Sequence, residues 1–415
     1  MSELLEKILD KRNMNEAYKK VCANKGAGGV DGMEIDELDG YIRGNWESIK
    51  EQIRKRSYTP QPVRRVEIPK SNGSKRKLGI PTVMDRVIQQ GIAQVISPMC
   101  EPLFSENSNG FRPNRSCEMA IREMLVFLKE GYEWIVDIDL EKFFDNVPQD
   151  KLMSLVHNII NDGDTESLIR KYLKAGVMIQ GRYEKTDRGT PQGVNLSPLL
   201  SNIMLNELDK ELEKRGLRFV RYADDCVIAV RSEASAKRVM YSITDWIERK
   251  LALKVNAEKT HITRPGKLKY LGFGFYKDPK AKEWKCRPHG EIRGKIQTNT
   301  KETDKQKPEH GICGKGAEAE QGNQRVDKLL CVRLNENGNE RHRRSFAYKA
   351  KSNHLEAMES TVKTAMGIAE AGNRKRPGKS DSILRQPLPM DSDQNVCSQG
   401  NLKRKTVTGG ACKLL

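Results

Sequence analysis

The sequence predicts an α+β body followed by a poorly ordered C-terminal tail. Up to about His289 the chain alternates amphipathic helix patterns with short apolar strands, and this part holds all four tryptophans. Beyond it the only Phe, Trp or Tyr residues are Phe346 and Tyr348, and Gly, Lys, Asn, Gln and Ser dominate. Such a stretch buries too little apolar surface to offset its chain entropy. We therefore expect a folded body over residues 1–289 and a tail over residues 290–415.

Length and charge limit the classes of function. The chain has 415 residues, enough for more than one core, and its formal net charge is +18. This excess favours a polyanionic partner, although a uniformly solvated basic surface is the simpler alternative. Nucleic acid is preferred over a membrane surface as the partner of so basic a chain. No run of 18 apolar residues occurs and the N-terminus lacks a signal-peptide core, so we expect no membrane span. The nine scattered cysteines form no CxxC pair, so we expect no zinc site or disulfide framework, and a reducing cytoplasm fits best.

Local patterns place the elements of the body in order. IRKRSYTPQPVRRVEIPK (53–70) ends in a basic strand, SNG is a hairpin turn, and RKLGIP (76–81) returns as a second strand. Helices follow over residues 82–104 and 119–131, where apolar residues recur at helical spacing. WIVDIDLEKFFDNV begins as a buried strand and turns into a helix, and SPLLSNIMLNELDKELEKRG is a helix with a Ser-Pro start and a terminal glycine.

Two acidic strands point to a metal-dependent active site. In FVRYADDCVIAV, Asp224 and Asp225 lie between two strand-like runs, a pattern typical of a tight hairpin tip. IVDIDLEKFF carries Asp137 and Asp139 near the end of another strand. If both strands share one sheet, Asp139, Asp224 and Asp225 converge, and their repulsion favours hard divalent cations such as Mg²⁺. Two such ions support phosphoryl transfer. A pair of solvated turn aspartates is the alternative, which the second acidic strand disfavours.

Eight stretches between about residues 24 and 275 follow one another in a recognisable order. They are NKGAGGVDGM, VRRVEIPKSNGSKRKLGIPTVMDRVIQQ, NGFRPNRSCEMAI, VDIDLEKFFDNV, RGTPQGVNLSPLLSNIMLNELD, RYADDCVIAV, LKVNAEKTHIT and KLKYLGFGF. Together they resemble the reverse transcriptase/maturase proteins encoded by group II introns. The resemblance implies a right-hand fold with fingers and palm, in which helices pack on an antiparallel palm sheet. It also implies an RNA-directed DNA polymerase that uses Mg²⁺, an intron RNA template, a DNA primer and dNTPs, with a homodimer left open.

The resemblance assigns catalytic roles position by position. Asp139 matches the metal-binding aspartate of the first catalytic motif, and Asp224 and Asp225 match those of the second. Phe144 falls where an aromatic ring closes the sugar pocket against a 2′-hydroxyl, with plain core packing as the alternative. Lys259 resembles a lysine that protonates the departing pyrophosphate, with an ordinary surface lysine as the alternative.

Basic and glycine-containing segments are assigned to the nucleotide and the template. Arg76 and Lys77 flank a glycine turn and are suited to grip a triphosphate; Arg76 matches the family's position, and Arg86 is a second candidate. A hairpin that touches only RNA backbone is the alternative. Gln192 and Gly193 resemble the loop that lines the nascent base pair, where a small residue lets the template approach.

The predicted domain boundaries follow from the resemblance and from the position, Gly290, at which the resemblance ends. Residues 1–58 are expected to form an N-terminal helical extension, and residues 59–289 the fingers and palm. Relatives continue into a helical thumb. Back-translated with permitted synonymous codons and read one nucleotide ahead, four tail stretches come to resemble the family's thumb and C-terminal sequence; EIRGKIQTNTKETDKQK, for example, can become KSVEKFKQTLKKLTNR. We therefore expect that one extra nucleotide near codon 290 replaced the thumb/maturase region over residues 290–415 and reduced or abolished activity. A genuinely divergent tail is the alternative.

Two alternatives for the function stay open. A non-polymerising splicing factor uses the same basic surface to fold its host intron. A retron-like or diversity-generating reverse transcriptase is an alternative within the enzyme class. No HNH-type cluster, Walker loop, nucleophile elbow or dinucleotide fingerprint competes with the polymerase interpretation.

Overall fold

The computed structural model describes residues 2–69, 73 and 75–289, so the predicted tail lies outside the described residues. The described residues form a mixed α+β fold with three β-sheets, which confirms the predicted class. They divide into two compact units, each assembled from two segments of the chain. Unit 1 comprises the described residues up to 100 together with 149–197, and unit 2 comprises 101–148 and 198–289. The division predicted after residue 58 falls inside unit 1.

Side-chain caps mark where several helices begin. The side chains of Ser2, Asp162 and Ser232 each accept a hydrogen bond from a backbone N–H of the first helical turn. The α-helices of the described residues are α1 (Glu3–Leu9), α2 (Lys11–Asn24), α3 (Leu38–Arg54), α4 (Val83–Cys100), α5 (Cys117–Lys129), α6 (Phe143–Asn146), α7 (Gln149–Ile160), α8 (Gly163–Lys174), α9 (Ser197–Lys214) and α10 (Glu233–Trp246).

The strands are short, and the predicted strand segments are all among them. Helix α10 continues directly into a π-helical turn, Ile247–Leu251, which ends at Ala252 in a left-handed conformation. The strands of the described residues are β1 (Val63–Pro69), β2 (Lys75–Ile80), β3 (Trp134–Ile138), β4 (Val177–Ile179), β5 (Arg182–Glu184), β6 (Arg218–Tyr222), β7 (Asp225–Val230), β8 (His261–Thr263), β9 (Lys269–Tyr270), β10 (Phe273–Lys277) and β11 (Trp284–Pro288).

Unit 1 contains a four-stranded sheet in the order β2-β1-β4-β5. Strands β1 and β2 pair antiparallel from Arg64↔Ile80 to Pro69↔Lys75, as the basic hairpin pattern predicts. The turn between them lies largely outside the described residues. Strand β4 joins β1 in parallel, and β5 pairs antiparallel with β4. Strand β2 therefore lies at one edge of this sheet, and its basic side chains are exposed.

Unit 2 is organised around an antiparallel sheet in the order β6-β7-β3-β8. Helices α5 and α10 pack against this sheet, which agrees with the predicted antiparallel sheet covered by helices. A second sheet, β11-β10-β9, shares a core with α5, where Ile121, Val227 and Phe275 are almost fully buried. Strands β9 and β10 are joined by Leu271 and Gly272, both at positive φ, as a two-residue type I′ turn requires. Among the described residues, no helix has both the length and the apolar character needed to cross a membrane.

Candidate active site

The acidic strands of unit 2 are direct neighbours. Strands β3 and β7 pair antiparallel with Ile138 opposite Cys226. One step further along this register, Asp139 comes opposite Asp225, so the two acidic motifs meet at one end of the sheet. Each strand is anchored by apolar neighbours, since Ile138 and Cys226 are almost fully buried. The predicted convergence of the carboxylate-bearing strands is therefore a consequence of strand order and register.

The Ala-Asp pair forms the tip of the β6–β7 hairpin. Tyr222 pairs with Asp225, which leaves Ala223 and Asp224 as a two-residue loop. Ala223 has a φ of +57° and Asp224 is not in the positive-φ region, which is the φ pattern of a type II′ turn. Glycine is the usual residue at the first position of such a turn, so alanine is held there under strain. The predicted tight hairpin tip is confirmed.

Negative charge accumulates at this tip. Burial among the surrounding atoms, followed by the charges of Asp224, Asp137 and Asp139, raises the pKa of Asp225 to about 7. Burial, together with the charge of Asp139, raises the pKa of Asp137 to about 6. Asp225 is nevertheless open to solvent on one side, because it is an exposed residue by surface area. Asp225 thus carries the electrostatic effect of the other three carboxylates of this cluster.

A turn at residues 256–260, after α10 in the sequence, forms hydrogen bonds with the backbone of Asp139. The backbone N–H of Asn256 donates to the Asp139 carbonyl at 2.8 Å, and the Asp139 N–H donates to Thr260 Oγ1 at 3.1 Å. Lys259, in the same turn, places its Nζ 3.5 Å from Asp139 Oδ2, and its side chain is 59% exposed. The ammonium group therefore lies beside the acidic cluster and remains accessible to solvent.

The carboxylates of this cluster are chemically suited to bind a divalent cation, although their oxygen atoms are not arranged around one point in the described residues. Within residues 2–69, 73 and 75–289, no three His, Cys, Asp or Glu side chains form a ready-made metal site. Carboxylate oxygens are the ligands that Mg²⁺ prefers. The charges of Asp224, Asp137 and Asp139 add to burial in raising the pKa of Asp225, and a bound cation would offset that repulsion. Asp139, Asp224 and Asp225 are therefore suitable ligands by chemistry and by placement.

Phe144 lies on the short helix α6, just after the first acidic strand. Its ring is packed edge to face against Phe143, with the ring centroids 5.2 Å apart. The residue is only 8% exposed, so most of the ring belongs to the core. Its placement agrees with both interpretations made from the sequence, core packing and closure of a sugar pocket.

The remaining predicted residues belong to unit 1. Arg76 and Lys77 are exposed on β2, where they lie opposite Ile68 and Glu67. Arg86 is 9% exposed, and its guanidinium donates to the carbonyls of Pro81 and Ala27. Two N–H groups of Arg86 therefore bind backbone carbonyls, one of them in the glycine-rich loop around Ala27, which weakens the case for Arg86 as a triphosphate ligand.

Gly193 has a structural reason to be glycine. Its φ is +94°, and a Cβ added there would lie 2.7 Å from the Gly79 carbonyl oxygen. Gly79 N–H in turn donates to the Gln192 carbonyl at 2.6 Å. The Gln192–Gly193 loop thus rests directly on β2, and a close approach of template is not needed to explain its glycine.

The sequence interpretation missed a buried polar network next to the acidic turn. Arg221, Asp209 and Asn202 are each 1% exposed or less, and they are joined by hydrogen bonds. The available signals were an arginine in an apolar strand just before Tyr-Ala-Asp-Asp and an aspartate on the apolar side of α9. Gly110, in the segment GFRP, was likewise not singled out, although it lies against the backbone of Ala223.

Comparisons with known proteins identify the family that this chain resembles. Residues 68–275 match the family model described as reverse transcriptase (RNA-dependent DNA polymerase). The group II intron-encoded protein LtrA of Lactococcus lactis subsp. cremoris is 33% identical over 323 residues, covering 62% of this chain and 54% of LtrA. Protein YkfC of Escherichia coli (strain K12) is 33% identical over 302 residues, covering 63% of this chain and 79% of YkfC.

A chain of the partial Cas6-RT-Cas1--Cas2 complex aligns with a TM-score of 0.38 at 24% identity, covering 63% of this chain and 44% of that one. The chain spans about half the length of LtrA (54%), so the similarity by itself does not assign the full activity of LtrA to this chain. The family model, however, covers half of the chain and every carboxylate of the acidic cluster. This chain therefore belongs to the reverse transcriptase (RNA-dependent DNA polymerase) family, and its homologues include group II intron-encoded proteins.

Proposed function

We propose that this chain is the RNA-directed DNA polymerase of a group II intron, which copies intron RNA into DNA and assists splicing of that intron. The observation that carries the proposal is the β3–β7 register, which sets Asp139 beside Asp225 and the Ala223–Asp224 turn. The family match and the intron-encoded relatives support the same chemistry. Its partners are then an RNA template, a DNA primer and dNTPs. The fingers-and-palm assignment for residues 59–289 and the cytoplasmic location belong to the same proposal.

Each predicted site residue has a role in this proposal. Asp139, Asp224 and Asp225 would hold Mg²⁺, which would supply activation of the attacking hydroxyl and neutralisation of charge on the leaving oxygen. Lys259 stands 3.5 Å from Asp139 and donates a proton to the departing pyrophosphate. Phe144 excludes a ribose 2′-hydroxyl.

The nucleotide contacts proposed for unit 1 differ in their support. Arg76 and Lys77 bind the triphosphate, because their charged groups are exposed on β2. Gln192 and Gly193 line the nascent base pair. Arg86 is the second candidate for the triphosphate and the weaker one, since two of its N–H groups donate to backbone carbonyls.

A splicing factor without polymerase activity is the second candidate, because the net charge of +18 serves RNA binding equally well. The substitutions Asp224→Asn and Asp225→Asn separate the two. Addition of a single dNTP to a preannealed primer–template should fall below detection in the double variant, whereas intron-RNA affinity stays within about twofold of wild type, since only charge at the metal site is removed.

A matched control removes two carboxylates elsewhere. Asp150 and Asp187 are 94% and 74% exposed in surface ion pairs, so Asp150→Asn with Asp187→Asn should leave both activities unchanged. Nucleotide addition that survives in the Asp224→Asn, Asp225→Asn variant would contradict the polymerase assignment of these carboxylates. Wild-type protein that binds intron RNA but adds no dNTP would favour the splicing factor.

We also infer that residues 290–415, outside the described residues, are the product of a frame change near codon 290. The support is the order of four thumb-like stretches that appear when the tail is read one nucleotide ahead. The chain would then retain its acidic cluster but lack the segment that grips the primer–template duplex. Low processivity and weak maturase action follow from this inference.

A further inference from the structure

Arg221 lies at the centre of a buried network beneath the acidic turn. It is on β6, one residue before Tyr222, and it is fully buried. Its guanidinium donates to both carboxylate oxygens of Asp209 at 2.7 and 2.5 Å, to Asn202 Oδ1 at 3.0 Å and to the Ala223 carbonyl at 2.8 Å. One side chain thus connects helix α9 to the backbone of the hairpin tip.

The same network fixes a second segment against the turn. Asn202 Nδ2 donates to the Gly110 carbonyl at 2.9 Å. The backbone of Arg221 exchanges hydrogen bonds with this segment, accepting from Asn109 N–H at 2.8 Å and donating to the Asn107 carbonyl at 2.9 Å. Gly110 in turn lies against Ala223 so closely that a Cβ there would be 2.1 Å from the Ala223 nitrogen. The turn is therefore enclosed by polar contacts from helix α9 and by backbone from residues 107–110.

Stability alone does not account for this arrangement. Burying a charged pair costs desolvation energy, and apolar residues of similar volume in its place are often as stable or more stable. Asp209 and Arg221 are both completely buried, and other buried polar side chains such as Asn202 accompany them in this part of the core. What an apolar pair cannot supply is the hydrogen bond to the Ala223 carbonyl, which holds an alanine at a φ of +57°.

We propose that Arg221, oriented by Asp209 and Asn202, is a positioning residue that holds the Ala223–Asp224 turn so that Asp224 and Asp225 face Asp139. The part of this inference that concerns cation binding rests on the proposed function. The part that concerns the order of the turn does not, because it follows from the hydrogen bonds to Ala223 and the strain at that residue.

The test replaces the charged pair by an apolar one, Arg221→Met together with Asp209→Leu. Thermal unfolding of the full chain reports its stability, and hydrogen exchange of the amides of residues 222–226, measured without metal or nucleic acid, reports the order of the turn. Binding of Mn²⁺ to the protein alone, followed by electron paramagnetic resonance, reports the metal site. We expect near-wild-type unfolding, turn amides that exchange at least about tenfold faster, and Mn²⁺ affinity that falls by at least about tenfold.

The control removes an ion pair at the end of the same helix without touching the turn. Glu211 on α9 pairs at 2.7 Å with Arg215, one residue beyond the helix, so Glu211→Leu with Arg215→Met should leave turn exchange and Mn²⁺ affinity at wild-type values. A second variant, Arg221→Lys, keeps the charge opposite Asp209 but cannot reach all three acceptors at once. It provides a folded protein for the same measurements if the apolar pair fails to fold, and it too should speed turn exchange.

Three outcomes are decisive. Wild-type exchange at residues 222–226 in a folded Arg221→Lys or apolar-pair variant overturns the inference, since the turn is then ordered without the network. Faster exchange with lost Mn²⁺ affinity supports it. A third outcome combines faster exchange in the variants with a wild-type protein that binds no Mn²⁺ and adds no dNTP. This outcome supports the positioning of the turn and refutes the proposed function, so failure of the inference and failure of the proposed function can be told apart.

Discussion

Replacing Gly110 by alanine tests how strictly the acidic turn must be positioned. Gly110 is not at positive φ, so alanine meets no backbone strain there, and space is the only obstacle. The added Cβ would lie 2.1 Å from the Ala223 nitrogen and 2.9 Å from both the Ala223 Cα and the Tyr222 carbonyl carbon. All three are backbone atoms, so no flexible side-chain end can move aside. The turn itself must shift.

The size of the shift follows from these distances. Ordinary contact begins near 3.4 Å, so the Ala223 backbone and residue 110 must separate by about 1.3 Å. A misplacement of about 1 Å costs on the order of 10²-fold in rate when it moves catalytic groups. We therefore expect Gly110→Ala to lower the single-turnover rate of dNTP addition by about 10²-fold, with overpacking costing about 1–3 kcal/mol of stability. Addition of one nucleotide to a preannealed duplex is the appropriate assay, because it does not require processive movement.

A glycine in the same unit serves as the control. Gly266, between Pro265 and Lys267, has no positive φ, and a Cβ added there would have no heavy atom within 4 Å, so Gly266→Ala should be neutral in both rate and stability. A Gly110→Ala protein that folds and adds dNTP at the wild-type rate would refute the close-approach argument. Equal loss of rate in both alanine variants would show that the effect is not specific to the turn.

Four further outcomes are expected. Substituting Phe144 by alanine or valine should raise ribonucleotide incorporation by about tenfold or more while dNTP addition continues; unchanged discrimination means that Phe144 is core packing only. RNA affinity should fall by about 10³-fold between 50 and 200 mM salt if about six phosphates are contacted, and a flat titration argues against backbone contacts. Burial raises the pKa of Glu123 from 4.5 to about 7. Between these two pH values the folded state binds more protons than the unfolded state, so the protein loses stability as the pH rises through that range. Glu123→Gln should therefore raise the Tm at pH 8 by about 2–4 °C, corresponding to about 1 kcal/mol after solvent screening, with little change at pH 4, and an unaltered pH profile would remove Glu123 as the cause. Finally, the gene's DNA past codon 290, read one nucleotide ahead, should encode a thumb without stop codons, and deleting that nucleotide should restore duplex affinity and activity together.

The acidic strands could be predicted because their signal is local. Apolar runs that flank paired carboxylates are visible within a dozen residues, and the hairpin tip follows from the same run. The alignment of Asp139 with Asp225 is different, because it depends on β3 pairing with β7 in one register. The family resemblance supplied that pairing indirectly. Periodicity alone would have left the two strands unconnected.

The supporting network could not be predicted in the same way. Asp209 and Arg221 belong to a helix and a strand whose contact is created only by the folded core, and neither residue type signals its partner. The contacts of Arg86 could not be predicted either. The sequence shows a basic residue near a predicted phosphate site, but it does not show that the guanidinium donates to backbone carbonyls. Gly110 was inconspicuous for a similar reason, because close approach to Ala223 is a property of two distant segments.

The order of strands along the chain has a consequence for synthesis of the protein. Strand β3 lies inside its sheet between β7 and β8, yet both partners are translated much later: Ile138 pairs with Cys226, and Ile135 pairs with Thr263. At about 5–20 residues per second, the first partner follows after roughly 4–18 s and the second somewhat later. For that interval the strand that carries Asp137 and Asp139 has two open edges, which are sites for pairing with other chains. A nascent chain that ends before residue 225 would therefore leave both edges of this strand unpaired.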